Sequence, residues 1–177
     1  MDELLELLRC AGVTLLVDVR AYPSSRRHPQ FRRELLAATL AAAGLGYRWE
    51  GRALGGFRRP STASPHTALP PELRGFADHM GTDDFRAAVT GLVELAGNAR
   101  PAVLCAERDP AQCHRGLISD ALVAAGHPVT HLIARDRTEA HRLDPRARRG
   151  ARGLVYDVAP GGQRALDFSG SGSPGNR

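Results

Sequence analysis

The sequence predicts one α/β domain with three layers, in which helices cover both faces of a mostly parallel sheet. Residues 13–17 and 101–105 are short segments that are apolar apart from Thr14, as expected for strands that are buried on both faces of a parallel sheet. They alternate with segments whose apolar residues recur at helical spacing, which is the pattern of a doubly wound α/β fold. The length of 177 residues fits one such domain.

Each element follows from local patterns of apolar, glycine and proline residues. Apolar residues at helical spacing predict helices over residues 2–10, 31–43, 71–80, 83–97 and about 109–125. Short apolar runs predict strands at residues 13–17, 47–49, 101–105, 128–133 and 154–157, the last at a sheet edge. Gly12, Gly44 and Gly126 mark helix ends. The last helix has the most complete start signal, with Asp109 as the N-cap and Pro110 in the first turn.

Three further segments lack any such pattern. Residues 51–70 are rich in Gly and Pro, and since a loop of this length inside a domain is usually functional or mobile, we predict a lid or an exposed excursion. Residues 134–152 are arginine-rich and are predicted to be irregular. The domain is predicted to span residues 1–157, followed by a C-terminal extension over residues 158–177 that is disordered at least from residue 169.

Composition narrows the classes of function. All 24 basic residues are arginine, which excludes chemistry through a lysine Schiff base, and the arginine excess lies at the two ends of the chain. Three cysteines in a chain long enough to form a core do not predict a disulfide framework. No apolar run approaches the roughly 18 residues that cross a bilayer, and the chain opens on acidic residues where a signal peptide would be basic. We therefore expect a cytoplasmic protein with no membrane contact and no cofactor.

Polar side chains follow two of the predicted strands at the point where each strand ends. Asp18 and Arg20 follow the first strand, and Glu107 follows the strand at residues 101–105. Because ligands of parallel sheets bind at the carboxyl ends of the strands, these residues and the start of the next helix are predicted to form one site. The predicted catalytic residues are Glu107, Cys113, His114 and Asp18, and the predicted ligand-binding residues are Arg20, Ser25, Arg26 and Arg115.

Several of these residues also have a structural explanation. Cys113 shares a helix face with apolar residues, so burial as a small hydrophobic residue explains it equally well. Cys105 ends an apolar strand and is expected in the core. Pairing of Asp18 with Arg20 would explain both of those residues. We expect no metal site, because the spacing of Cys105, Cys113 and His114 matches none of the usual zinc spacings.

Several short motifs are spread along the chain: LLVDVRAYPSSRRHPQF, the turn before Tyr47, Leu54-Gly55-Gly56, the region of Met80 and Phe85 and, above all, CAERDPAQCHR. In this combined pattern the sequence resembles the bacterial domain-of-unknown-function 488 family, from about residue 3 to residue 157. The resemblance implies an α/β domain and no particular reaction. It places on the family's motif positions Asp18, Arg20, Pro23, Ser25, Arg26, Glu107, Cys113, His114 and Arg115.

The start of the chain departs from this family pattern. Family members usually open with a short strand reading roughly Thr-Ile-Gly-His-Ser before the first helix, whereas this sequence begins inside that helix at Met1. Either the start of the sequence is assigned too late or trimmed, or this member lacks the strand, together with whatever its Gly-His-Ser contributes to the site. A missing strand would also leave a neighbouring sheet edge or groove uncovered.

Three functions are compatible with these residues. The favoured one is an enzyme, a hydrolase or glycosyl-type transferase, that binds a small anionic, nucleotide- or nucleoside-like ligand at the strand ends. It would cleave or transfer at an N-glycosidic bond with Glu107 as acid/base or nucleophile. The second is a nucleic-acid-binding module that uses the arginines of residues 26–33 and 142–152. The third is a sulfur carrier or redox protein that uses the Cys113 thiol.

Overall fold

The computed structural model describes residues 1–158, and its centre is a sheet of three parallel strands. The strands are β1 (Leu15–Asp18), β2 (Gly46–Trp49) and β3 (Pro101–Leu104), in the order β2-β1-β3. In this sheet Asp18 lies beside Trp49 on one side and beside Leu104 on the other. The carboxyl ends of β1 and β3 are therefore neighbours, as the sequence predicted.

Six α-helices within the described residues flank this sheet. They are α1 (Asp2–Cys10), α2 (Arg33–Ala42), α3 (Gly51–Leu54), α4 (Pro71–Met80), α5 (Asp83–Asn98) and α6 (His114–Ala124). Leu16 of β1 belongs to an apolar cluster with leucines of α1 and α2, whereas its neighbour Val17 belongs to a second cluster with residues of α4, α5 and α6. Because successive strand residues point to opposite faces of a sheet, helices cover both faces. The predicted α/β domain is confirmed.

The C-terminal part of the described chain forms two antiparallel hairpins. The first pairs β4 (Thr130–Ala134) with β5 (Arg137–Ala140), and the second pairs β6 (Ala147–Gly150) with β7 (Gly153–Tyr156). The strand predicted at residues 128–133 thus pairs in a hairpin instead of extending the parallel sheet, and the prediction that residues 134–152 are irregular is wrong. Most residues of β5 and β6 are exposed, so these strands lack the apolar alternation by which a half-buried strand is recognised.

The helix predicted from residue 109 begins five residues later, at His114. Asp109 caps a separate 3₁₀ turn, Pro110–Gln112, by accepting a hydrogen bond from the Ala111 N–H at 2.8 Å. Cys113 follows in an extended conformation, with φ −136° and ψ 146°, and is itself the N-cap of α6. The capping pattern in the sequence therefore marks a turn that redirects the chain before the helix starts.

The segment at residues 51–70 contains the short helix α3 and then an irregular stretch. The Arg58 guanidinium donates to the carbonyl oxygens of Arg52 and Gly55, at 2.8 Å and 3.1 Å. Gly75 of α4 packs so closely on this stretch that an added Cβ would lie 2.1 Å from the Arg58 carbonyl oxygen. These contacts hold the middle of the segment against α3 and α4.

Two further expectations concern membranes and the C-terminal end. No helix of residues 1–158 is both long enough and apolar enough to cross a bilayer. The predicted C-terminal extension lies, apart from its first residue, outside the described residues.

Candidate functional site

Four side chains with chemical reactivity meet at the carboxyl ends of β1 and β3. They are Cys105, Glu107, Cys113 and His114, which we call the strand-end group. Each offers one sulfur, oxygen or nitrogen atom that lies within 4.8 Å of those of the other three. Cys105 directly follows β3, and the 3₁₀ turn brings Cys113 and His114 back to it. The structure thus brings together three of the predicted catalytic residues, with Cys105 as a fourth member.

Glu107 connects the two thiols of this group. Its Oε2 accepts one hydrogen bond from the Cys105 thiol at 2.7 Å and another from the Cys113 thiol at 3.2 Å. The two cysteines are buried, with 8% and 3% of their surface exposed, whereas Glu107 is exposed. The carboxylate therefore lies between two buried sulfurs and the molecular surface.

One ring nitrogen of His114 lies near both sulfurs of the group, and the other contacts the backbone of Val19, just after β1. Its Nε2 lies 3.2 Å from the Val19 carbonyl oxygen, and because a carbonyl oxygen only accepts, Nε2 is the donor and carries a proton. Its Nδ1 lies 3.7 Å from the sulfur of Cys105 and 3.7 Å from that of Cys113. In the neutral imidazole, Nδ1 is then unprotonated. The Cys105 sulfur also lies 4.0 Å from Nε2, so it packs beside the face of the ring.

These contacts give the two thiols different acidities. The pKa of Cys105 is lowered to about 6, mainly by its polar contact with the Cys113 side chain; burial opposes this, and His114 assists it. The pKa of Cys113 is raised by the same contact with Cys105 and by burial, which disfavours its thiolate. For Glu107, burial acts to raise the pKa, but the hydrogen bonds from both thiols outweigh it and lower the pKa. Cys105 is therefore the more acidic of the two cysteines.

The start of α6 fixes the position of Cys113 and of the loop before it. The Cys113 sulfur accepts the backbone N–H of Arg115 at 3.4 Å, as an N-cap does. The Arg115 guanidinium donates to the carbonyl oxygens of Glu107 at 3.4 Å and Arg108 at 3.2 Å. Arg115, which was predicted to bind ligand, is thus tied to the backbone that carries Glu107.

Replacing Gly56 by alanine is expected to displace the His114 ring and to destabilise the protein by about 1–3 kcal/mol, the usual effect of overpacking. An added Cβ at Gly56 would lie 2.5 Å from Nδ1 and 2.8 Å from Cγ of that ring. Urea denaturation followed by circular dichroism measures the change in the free energy of unfolding.

Gly91→Ala in α5 is the matched control for this substitution. No heavy atom lies within 4 Å of a Cβ placed there, so the higher helix propensity of alanine is expected to stabilise the protein by about 0.5–1 kcal/mol. A Gly56→Ala protein that is as stable as the wild type would contradict the close contact with His114.

A cleft of about 1010 Å³ opens over the strand-end group, and all four members of the group line it. The loops that follow β1 and α3 supply further lining residues, among them Arg20, Tyr22, Ser25, Phe57 and Arg59. Tyr22 and Phe57 are 74% and 84% exposed, and their ring centroids are 6.0 Å apart. A cleft that combines exposed aromatic rings with convergent polar groups has the usual character of a ligand site.

The residues predicted to bind the ligand fall into two pairs. Arg20 and Ser25 line the cleft, whereas Arg26 and Arg115 do not. Ser25 also accepts the backbone N–H of His28 on its hydroxyl oxygen, at 2.9 Å, and so shapes the loop after β1. The structure therefore brings two of the four predicted ligand-binding residues to the strand-end group.

Asp18, predicted to be catalytic, lies beneath the cleft and does not line it. Its carboxylate accepts two hydrogen bonds from the Arg20 guanidinium, at 2.8 Å and 2.5 Å, and one from the Tyr47 hydroxyl at 2.7 Å. Burial and the neighbouring Asp18 charge hold the pKa of Tyr47 well above its usual value. In this position Asp18 orients Arg20 toward the cleft.

The sequence analysis missed several residues of the cleft. Tyr22, Phe57 and Arg59 lie in irregular segments, where no periodicity shows which way a side chain points. The sequence feature that could have identified the two aromatic residues is their position within Gly- and Pro-rich loops. Gly56 was noted only as part of a motif, whereas its contact with His114 shows why a side chain is not accommodated there.

The strand-end group also contains the residues that could hold a metal ion. Two sulfurs, one imidazole nitrogen and one carboxylate oxygen converge there. Sequence spacing predicted no such site, because Cys105 and Cys113 are far apart for a zinc-binding turn. The 3₁₀ turn at Pro110–Gln112 brings them together.

Comparison with known proteins places this chain in a family. The family model described as Domain of unknown function DUF488 matches residues 1–122, which include all three parallel strands and the whole strand-end group. Neither the curated proteins nor the solved structures gave a match. The chain therefore belongs to the DUF488 family, as its motifs predicted.

Proposed function

We propose that the protein is an enzyme that acts on a small anionic ligand with a flat ring, such as a nucleotide, bound in the cleft over the strand-end group. One observation carries this proposal: a single cleft contains exposed aromatic rings, arginine side chains and the reactive group. Its position supports the proposal as well, because ligands of open α/β sheets bind at the carboxyl ends of the strands.

Tyr22 and Phe57 are proposed to bind the ring of the ligand. Their two rings are tilted by 45° and contact each other at the edge of the cleft. They therefore offer an aromatic platform with one exposed side, not a gap into which a ring inserts. Stacking of a base on an aromatic side chain contributes about 1–3 kcal/mol and tolerates any base.

Arg59 and Arg20 are proposed to bind the anionic group. Arg59 is exposed and lines the cleft, and no hydrogen bond from its guanidinium to any other part of residues 1–158 is found. Arg20 uses Nε and one terminal nitrogen on Asp18, which leaves its second terminal nitrogen for a ligand. The planar guanidinium is well suited to phosphate and carboxylate groups.

Glu107 is the member of the strand-end group that we expect to contact the ligand, because it is exposed in the cleft while the other three are buried. Its Oε2 accepts hydrogen bonds from both thiols, so Oε1 is the oxygen that can act as nucleophile or general base. Hydrolysis or transfer at the N-glycosidic bond of the ligand is the reaction that a carboxylate in this position serves.

Arg59→Ala is expected to weaken binding of a nucleoside monophosphate by about tenfold or more, since a hydrogen bond to a charged group contributes about 1.5–3 kcal/mol. Binding of the matching nucleoside, which has no phosphate, is expected to be unchanged. Isothermal titration calorimetry with the full chain measures both affinities, with AMP and adenosine and with CMP and cytidine as the pairs. Phe57→Ala is expected to weaken binding of all four by about tenfold, because it removes the stacking surface.

Two surface substitutions serve as controls. Arg52→Ala removes an exposed arginine of α3, and Leu35→Ala removes an exposed apolar residue of α2; neither residue lines the cleft. Both variants are expected to bind all four probes as the wild type does. Absence of binding by the wild type, or an equal loss in Arg52→Ala and Arg59→Ala, would exclude the proposed ligand class.

The two alternatives from the sequence have less structural support. In the arginine-rich C-terminal part, Arg146 and Arg148 form ion pairs with acidic neighbours and Arg149 donates to a backbone carbonyl, which leaves less charge for nucleic-acid phosphates. A sulfur carrier that uses Cys113 needs an accessible thiol. Cys113 is only 3% exposed, and its thiol donates to Glu107.

A further inference from the structure

We propose that the strand-end group binds one divalent transition-metal ion of the zinc type through Cys105, Cys113, His114 and Glu107. Two sulfurs and an imidazole nitrogen form a donor set that suits zinc and disfavours magnesium or calcium, which prefer oxygen. This site is the strand-end group already described. A catalytic role of the ion rests on the proposed function, whereas binding of the ion is independent of that function.

The two nitrogen-to-sulfur distances within the group match those around a single tetrahedral ion. With zinc–sulfur bonds of about 2.3 Å and zinc–nitrogen bonds of about 2.0–2.1 Å, the sulfur-to-nitrogen edge of a tetrahedron is about 3.6 Å. Nδ1 of His114 lies 3.7 Å from each of the two sulfurs. Oε2 of Glu107 is closer to them, at 2.7 Å and 3.2 Å, because thiol protons bridge these atoms. An ion that replaces those protons would lengthen both edges.

The orientation of His114 is a second, independent observation that points to an ion. Histidine ligands of metals usually donate their other ring N–H to a carboxylate or a backbone carbonyl, which fixes the tautomer and the direction of the lone pair. The Val19 carbonyl accepts from Nε2 of His114 at 3.2 Å. This contact leaves Nδ1 as the unprotonated nitrogen, 3.7 Å from each sulfur. The Cys105 sulfur lies beside the face of the ring, 4.0 Å from Nε2, so an ion would be bound after a rotation of the imidazole that turns the Nδ1 lone pair toward the sulfurs.

Burial distinguishes the four ligands and indicates how the ion would be reached. Cys105, Cys113 and His114 are each less than 9% exposed, whereas Glu107 is exposed in the cleft. Four protein ligands close the site as in structural zinc, whereas catalytic zinc has three protein ligands and a fourth position for water or substrate. Only Glu107, on the cleft side, is placed to leave the ion and open that fourth position. The ion would then lie directly beneath the proposed ligand.

The spacing of the ligands along the chain is compatible with this site. Zinc-binding turns use two ligands close together because both come from one turn. Here Cys105 comes from the end of β3 and Cys113 from the N-cap of α6. The 3₁₀ turn between them is capped by Asp109. It brings the two cysteines together in space although they are eight positions apart in sequence.

Titration of the reduced, metal-free full chain with Co²⁺ tests the proposal. The expected result is one Co²⁺ per chain, with the near-ultraviolet charge-transfer band of a thiolate–cobalt bond and the intense visible bands of tetrahedral cobalt. Zn²⁺ is expected to remove these bands by displacement. Cys105→Ser and Cys113→Ser are expected to lower the Co²⁺ affinity more than about 100-fold, because ligand loss exceeds the usual effect of a substitution around the ligands.

Cys10→Ser is the matched control, because Cys10 is a free, exposed cysteine of α1 and lies outside the group. It is expected to bind Co²⁺ like the wild type. A second measurement needs no variant: bound Zn²⁺ is expected to protect Cys105, the more acidic thiol of the group, but not Cys10, from alkylation by iodoacetamide, as read by peptide mass spectrometry. This measurement decides the matter if a serine variant does not fold.

Three outcomes would overturn the proposal: no thiolate–cobalt band in the reduced wild type, an equal loss of binding in Cys10→Ser, or no protection from alkylation. A disulfide between Cys105 and Cys113 in the air-exposed protein, with no ion bound after reduction, would favour a redox pair instead. Nucleotide binding by the metal-free protein is measured separately. If the protein binds Co²⁺ but no nucleotide, the metal site stands and the proposed function is excluded. If it binds nucleotide but no Co²⁺, the proposed function stands and the metal site is excluded.

Discussion

Replacing Asp18 by alanine is expected to destabilise the protein by about 3–5 kcal/mol, the usual effect of removing one partner of a buried ion pair. Asp18 is fully buried at the end of β1. Besides the two hydrogen bonds from the Arg20 guanidinium and the one from Tyr47, its carboxylate accepts the Arg20 backbone N–H at 3.0 Å. Alanine would leave the largely buried Arg20 charge and two further donors without their acceptor.

Urea denaturation measures the free energy of unfolding of Asp18→Ala. Two other substitutions provide reference values with which this loss of stability is compared. Tyr47→Phe removes one uncharged donor and is expected to destabilise the protein by about 1 kcal/mol. Asp83→Ala removes an exposed carboxylate that pairs with Arg86 on the surface of α5, and its expected effect is about 0–1 kcal/mol. An effect of Asp18→Ala no larger than that of Asp83→Ala would show that the buried pair does not stabilise the sheet.

The buried half of the fold could be predicted because burial leaves a pattern in the sequence. β1 is apolar up to Asp18 because Leu16 and Val17 enter different clusters on opposite faces of the sheet. The exposed hairpins leave no such pattern. Their strands are held by backbone pairing and by surface contacts such as the one between Arg148 and Asp157, and a surface ion pair has no fixed sequence spacing.

The position of the site could be predicted, but the role of each residue could not. Glu107 was found because a polar residue that follows a buried strand faces the edge where ligands bind. Asp18 follows the same rule in sequence, yet its side chain lies beneath the cleft and is covered by Arg20 and Tyr47. Because successive residues of a strand face opposite sides, moving a residue by one position reverses the side that it faces. The residues that cover the Asp18 side chain come from other parts of the chain, and the local sequence does not identify them.

Asp120 is expected to be as important for the C-terminal hairpins as Asp18 is for the parallel sheet. It is 1% exposed on α6. Its Oδ1 accepts hydrogen bonds from His141 at 2.8 Å and from the backbone N–H of Asp144 at 2.9 Å, and its Oδ2 accepts one from the Tyr156 hydroxyl at 3.0 Å. His131 of β4 extends this network, since its ring lies 2.8 Å from that of His141. One buried carboxylate thus connects α6 to both hairpins.

Asp120→Ala is therefore expected to destabilise the protein by about 3–5 kcal/mol, because each buried donor left unpaired contributes about 1–3 kcal/mol. Trypsin is expected to cleave at the arginines of β5 and β6 before the rest of the domain, since the hairpins lose their shared anchor. Tyr156→Phe is the control: it removes one donor and spares the acceptor, so it is expected to cost about 1 kcal/mol and to leave the hairpins resistant. If Asp120→Ala behaved like Tyr156→Phe, the hairpins would be held mainly by apolar contacts such as those of the buried Leu154.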